Sequence, residues 1–303
     1  MRHSIPNIKK MSNTFSIPTP RNFDLRMAIE GHGWYDLSPF EYHSDKGVLN
    51  YVFNMPASGT AAISIRVLKD RIQITSSGCA RAEAVHAVRH ILRMDEDLGE
   101  FYSALENGAE LGWVRRICAG RLLRSVTVFE DLVKTLCTTN CSWSLTKKMV
   151  SNLVELLGNA APNGQKAFPT PEAIAACSFD VFRNDIRAGY RSQYLVELGQ
   201  AVAEGVIDPE AWLYSELPTL DLKKEIMRVK GIGSYAADNL LKLLGRYDGL
   251  ALDSWLRAGY YKKHNRGKSC EDRKIEKHYA KYGAWKGLAI WCDMTESWFS
   301  KDR

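Results

Sequence analysis

The stretch 222–245, LKKEIMRVKGIGSYAADNLLKLLG, restricts the possible folds of this chain more than any other part of it. Leu222, Ile226 and Val229 fall on one face of a helix that Asp221 is positioned to cap. Ala237, Leu240, Leu241 and Leu244 form the stripe of a second helix, with Ser234 at its N-cap position. Only Gly231-Ile232-Gly233 separates the two. Apolar faces joined this tightly fold back on each other and tuck Ile232 between them. The first backbone amides of the second helix then point outward, at the positive end of its dipole. Such an end suits a phosphate oxygen, and Lys230 adds charge beside it. The grip would hold a nucleic-acid backbone without reading its bases. A G-x-G turn alone serves equally well as a plain linker between helices. Asp253 adds a second constraint: twenty residues beyond Gly233, it stands as a lone carboxylate in the apolar run LALDSWL.

Upstream the pattern changes. Residues 22–78 read mainly as strands: AISIRV and RIQIT alternate apolar and polar positions, and ASG (57–59) reads as a turn. Residues 81–94 have helical spacing, and helical signals dominate from there on, at 95–107, 127–140, 144–158, 171–178, 179–187, 190–204, 209–215, 221–229, 234–245, 253–263, 271–282 and 285–293. The expected class is α+β, a small N-terminal antiparallel sheet domain packed on a larger two-lobed all-helical domain with a cleft between its lobes. The expected organisation is a loose leader over 1–19, the sheet domain over 20–108, and the helical domain over 109–303 with the hairpin at 222–245. The leader is basic and lacks the apolar core of a secretory signal.

Composition limits the partners. Lys and Arg outnumber Asp and Glu by 41 to 35, a net +6 that is compatible with a polyanion. No apolar run approaches the roughly 20 residues needed to span a bilayer, so no membrane partner is expected. Seven cysteines without a paired framework suggest reduced thiols in an intracellular protein. Cys137 and Cys141 lack the further Cys or His that a zinc site would need nearby.

The hairpin followed by Asp253 resembles the helix–hairpin–helix DNA glycosylases, closest to the 3-methyladenine and 8-oxoguanine types. Further segments resemble that family in the same order: FDLRMAIEGHGW, FEDLVKTLCTTNCSWSLTKKMVSNLVELLG, AFPTPEAIA, IRAGYRSQYL and AWKGLAIWCDM. The likeness runs over about 20–298. The family's Leu-Pro form of the hairpin is replaced here by Val229-Lys230.

The resemblance implies excision of a damaged base from duplex DNA. Asp253 stands at the catalytic carboxylate, which would stabilise the oxocarbenium-like sugar and orient water. Tyr235 stands where bifunctional relatives carry the lysine that forms a Schiff base; Lys230 and Lys242 do not match that position. A monofunctional enzyme is therefore expected. Asn140 matches the residue that fills the gap left by the flipped base, Tyr190 the wedge, and Arg191 a contact to the opposing base. With Lys230, Gly231 and Gly233 these form the expected DNA-binding set. Leu145 replaces a second arginine of the cytosine reader, and Asn239 a pocket cysteine. Trp34, Asn239, Trp285 and Trp291 are the expected base pocket, with His32 close to Trp34. Its tryptophans favour alkylated, cationic purines, 8-oxoguanine being the alternative. A non-catalytic DNA-binding protein is a further alternative. Only Cys270 and Cys292 follow the hairpin, so no iron–sulfur cluster is expected, nor any other cofactor. The resemblance allows an alkali-metal ion between hairpin and phosphate. The expected partner is double-stranded DNA containing a damaged base, bound by a monomer in the bacterial cytoplasm or nucleoid, or in a eukaryotic nucleus.

Overall fold

The computed structural model describes residues 12–55, 59–106 and 109–302. Five strands, β1 (Asn13–Pro18), β2 (Glu41–His43), β3 (Val48–Met55), β4 (Gly59–Leu68) and β5 (Arg71–Ser77), form one antiparallel sheet in the order β1-β5-β4-β3-β2. The alternation in the sequence sets the buried face. Leu49, Tyr51 and Phe53 of β3, Ile63 and Ile65 of β4, and Ile72 and Ile74 of β5 all join the main core. Val52 and Ala62 point the other way and meet Ala161 and Ala167 in a small separate cluster.

The helices are α1 (Leu25–Glu30), α2 (Arg81–Ile91), α3 (Gly99–Leu105), α4 (Gly112–Arg116), α5 (Val128–Thr138), α6 (Trp143–Leu157), α7 (Pro171–Ala175), α8 (Phe179–Asn184), α9 (Arg191–Ala203), α10 (Thr219–Ile226), α11 (Ser234–Leu243), α12 (Ser254–His264), α13 (Asp272–Tyr279) and α14 (Lys286–Thr295). The class is α+β. Side-chain caps explain several helix starts: Thr127 accepts from Glu130 N–H at α5, and Thr170 accepts from Ala173 N–H at α7, just before Pro171.

Three expectations change. The leader expected over 1–19 does not extend that far, because 13–18 form edge strand β1, whose Ile17 pairs with Ile72 and joins the core. Residues 1–11 lie outside the described residues, as do 56–58 in the turn expected between β3 and β4. The segment read as strand-like from 22 also holds α1, started by Asp24 accepting from Met27 N–H at 2.9 Å, and a 3₁₀ turn at Gly33–Asp36. The third change concerns the hairpin caps. Helix α10 starts two residues earlier than expected, which puts Asp221 in its first turn, and Gly233 is the N-cap of α11 where Ser234 was expected.

Charges buried in α5 bind the sheet to the helices. Lys134 Nζ lies 2.6 Å from Glu130 Oε1, and Tyr51 of β3 donates to Glu130 Oε2 at 2.8 Å. Asp131 accepts from Trp34 Nε1 at 2.7 Å and from Ser125 N–H at 2.9 Å. Burial raises both carboxyls above their ordinary range; Lys134 opposes this at Glu130, and the bonds from Ser125 oppose it at Asp131. The network fixes Trp34 and the loop before β2 against α5, which is the wall the site requires.

Candidate active site

The hairpin folds as its pattern dictates. Leu222, Ile226, Val229 and Ile232 are buried, and Ile232 N–H donates to Val229 O at 3.0 Å. Gly231 takes a left-handed φ of +86°, and a Cβ there would stand 2.6 Å from Tyr194 and 2.7 Å from Leu136. Replacing Gly231 with Ala is therefore expected to cost about 1–3 kcal/mol, read as a lower midpoint in denaturant at unchanged m-value. Gly233 is extended, and a Cβ on it would meet nothing within 4 Å. No side chain caps α11, which leaves the first-turn amides for an external acceptor. Lys230 is exposed beside the turn and pairs with Glu197 at 2.8 Å.

A cleft of about 570 Å³ opens next to α11. The loop after α1 supplies His32 and Trp34, α11 supplies Tyr235 and Asn239, α12 supplies Asp253 and Trp255, and α14 supplies Trp291. Trp143 and Trp298 complete an aromatic lining. Asp253 is the N-cap of α12, its Oδ1 accepting from Leu256 N–H at 2.6 Å. Capping and cleft access coexist: the helix start holds the carboxylate in the wall between α11 and Trp255. Tyr235 lines the cleft beside Asp253. Burial and that neighbouring carboxylate push the Tyr235 phenol well above its ordinary value, so it stays a neutral donor. Asn239 donates to Tyr235 O at 3.1 Å, one turn back along α11.

Trp291 is fixed by its Nε1 donating to Gly31 O at 2.8 Å, with Trp255 and Trp298 at centroid distances of 6.1 and 6.0 Å. Lys242 lies 4.8 Å from the Trp291 ring centre, and its buried Nζ has no hydrogen-bond partner among the described residues. Burial pushes its ammonium down to about 8, against the pull of Asp238, Asp253 and Cys292. His32 is buried against Trp34. Burial, and then the charge of Lys242, drive it down to about 3, so the imidazole is neutral, with Nδ1 unpartnered among the described residues.

No protein-family model and no curated protein sequence matches the chain. Solved structures do. MBOgg1 bound to a low-affinity DNA ligand is 18% identical with a TM-score of 0.76, over 96% of this chain and 99% of that one. The 3-methyladenine DNA glycosylase of Archaeoglobus fulgidus is 18% identical with a TM-score of 0.75, over 94% of this chain and 99% of that one. The Clostridium acetobutylicum 8-oxoguanine glycosylase/lyase, bound to double-stranded DNA with cytosine opposite 8-oxoG, is 17% identical with a TM-score of 0.71, over 92% of this chain and 93% of that one. The chain has the helix–hairpin–helix DNA glycosylase fold. Among the described residues, no helix is long and apolar enough to cross a membrane.

Within this fold Tyr235 and Asn239 of the second hairpin helix, Asp253, Trp34 and Trp291 come together at one cleft, while Lys230, Gly231 and Gly233 of the turn do not line it. Asn140 and Tyr190 form a neighbouring pair. Asn140 takes a left-handed φ of +47° at the end of α5, and its Nδ2 is 3.5 Å from the Tyr190 hydroxyl. The Tyr190 ring is 54% exposed, enough to meet an external partner. Arg191 does not present itself as expected. It is buried at 3% exposure, its guanidinium bonds Thr139 O and Oγ1, and it stacks 4.4 Å from the Tyr190 ring. In this conformation it holds the 139–140 turn in place. Trp285 does not line the cleft either. It stacks on Tyr247 at 5.3 Å and packs near Phe101 at 5.6 Å. Six residues before Trp291 is about 600° of helical rotation, which turns it away from that face, and Gly283 breaks the helix just ahead of it. Sequence reasoning missed Trp255, Trp298 and Trp143. The spacing of Trp298, seven residues after Trp291, is the available signal for one of them.

Proposed function

We propose that the protein is a monomeric, monofunctional base-excision DNA glycosylase. It would flip a damaged purine from duplex DNA and hydrolyse its N-glycosidic bond, favouring alkylated purines such as 3-methyladenine. The observation that carries this reading is the position of Asp253 in a tryptophan-lined cleft, directly beside an uncapped hairpin helix. The hairpin amides bind a phosphate, Asn140 fills the vacated stack, and Tyr190 wedges beside it. Arg191 acts through Thr139, fixing that loop. The extruded base stacks on Trp291. As the glycosidic bond lengthens, the Asp253 carboxylate stabilises positive charge at the sugar and orients the attacking water. The bond from Leu256 N–H holds the Asp253 carboxylate at the cleft wall, with Tyr235 beside it as a neutral phenol. No cofactor takes part in this chemistry; an alkali-metal ion at the hairpin would strengthen the grip alone.

A phenol at Tyr235 cannot form an imine, so the product is an intact abasic site. Borohydride reduction during turnover is expected to trap no protein–DNA adduct; a trapped adduct would contradict the monofunctional reading.

Lys242 favours the second reading, a neutral oxidised purine such as 8-oxoguanine. Its ammonium against Trp291 repels a cationic base stacked on the same ring. Its ordinary value near 10.5 is lowered to about 8, so the charge is present below pH 8 and lost above it. Excision of cationic 7-methylguanine relative to 8-oxoguanine is expected to rise several-fold as pH passes upward through 8, or in Lys242→Met at pH 7. A ratio independent of both would remove Lys242 from substrate choice.

A further inference from the structure

Away from the cleft, Glu110, His264 and His278 bring potential metal-ligand atoms within 4.8 Å of one another. They come from three separate elements: Glu110 from the 3₁₀ turn Ala109–Leu111, His264 from the end of α12, and His278 from α13. The two imidazoles are 4.5 Å apart between centroids, and His278 Nε2 is 3.8 Å from Glu110 Oε2. His264 has a further partner: its Nε2 lies 2.7 Å from Oδ2 of the buried Asp293, which Tyr279 and Lys263 also contact. With Nε2–H donating to the Asp293 carboxylate, the ring lone pair of a neutral His264 resides on Nδ1. A carboxylate that fixes one ring nitrogen is the usual companion of a metal-binding histidine.

We infer that Glu110, His264 and His278 form a binding site for one divalent transition-metal ion, with Asp293 orienting His264. Two imidazole nitrogens and one carboxylate oxygen suit Zn²⁺, Co²⁺ or Ni²⁺ rather than the all-oxygen preference of Mg²⁺ or Ca²⁺. Three protein ligands leave a fourth position for water. The ion would sit away from the cleft: His264 lies eleven residues along α12 from Asp253, about 16 Å at 1.5 Å per residue. It would tie the far end of the helix that carries Asp253 to α13 and to the 109–111 turn. Lys281, 3.7 Å from Glu110 and itself 39% exposed, must swing aside, which weakens binding without blocking it. The site stands whether or not the cleft excises bases.

The test is calorimetric titration of the metal-free full chain with Zn²⁺, together with absorption spectra of the Co²⁺ form. One ion per chain is expected, with Co²⁺ d–d bands and no thiolate charge-transfer band from the free cysteines. The unfolding midpoint should rise by about 3–6 °C with Zn²⁺. His278→Gln should weaken binding at least about ten-fold and abolish the thermal shift. Glu110→Gln, at an exposed position, should weaken it similarly. No stoichiometric site in the wild type, a thiolate band, or a site that survives both substitutions would overturn the assignment.

Discussion

Asp253→Asn is expected to lower base excision by roughly 10³-fold or more, equivalent to about 4 kcal/mol of transition-state stabilisation, with duplex binding nearly unchanged. The substitution separates the helix cap from the catalytic role proposed for the side chain. Asn is as good an N-cap as Asp, so its side-chain oxygen still accepts from Leu256 N–H and α12 keeps its start. Its neutral amide, however, supplies no negative charge to an oxocarbenium-like sugar. In the proposed reading, DNA affinity rests elsewhere, on the amides at the start of α11 and on the Asn140–Tyr190 edge. Single-turnover rates on lesion duplexes, set beside gel-shift affinities, check this. Equal activity of the two proteins would mean that the carboxylate is a helix cap and nothing more.

The second large effect falls on stability. Glu130→Ala is expected to destabilise the fold by about 3–5 kcal/mol, because it leaves the ammonium of Lys134 buried without its partner and the Tyr51 hydroxyl without its acceptor. For a chain of this size that lowers the melting midpoint by roughly 10 °C. The triple substitution Tyr51→Phe, Glu130→Leu, Lys134→Met removes the charges together and should recover most of the loss. The two variants measured side by side separate a desolvation effect from a packing effect. If the triple variant fails to recover, lost packing rather than an unpaired buried charge causes most of the destabilisation.

The hairpin, the carboxylate and most of the helices are legible in the sequence because each is written locally. A glycine turn between two amphipathic stripes, and an Asp ahead of Trp255 and Leu256, need no distant partner to be recognised. The cleft walls are not local. Trp255, Trp298 and Trp143 reach it from different elements, and nothing near Trp143 indicates that it closes against the loop holding Gly33. Trp285 illustrates the opposite error, since a tryptophan on the right segment faces Tyr247 once helical rotation is counted. Arg191 reads as a contact to the opposing base until Thr139, fifty-two residues earlier, closes over it. Strand β1 is hidden because a short edge strand with one buried isoleucine looks like any polar N-terminal segment. The buried position of Lys242 is equally invisible, because a lysine on the flank of an apolar stripe is normally solvated.

The central claim is that this cleft releases a damaged purine. The most direct test incubates the purified chain with duplex oligonucleotides, each carrying one of 3-methyladenine, 7-methylguanine or 8-oxoguanine, and then cleaves abasic sites with alkali. Alkali-dependent strand breaks are expected at a purine lesion, with none in the absence of alkali and none from Asp253→Asn. Tight duplex binding with no break at any of these lesions would contradict the claim and leave a protein that uses the hairpin only to dock on DNA.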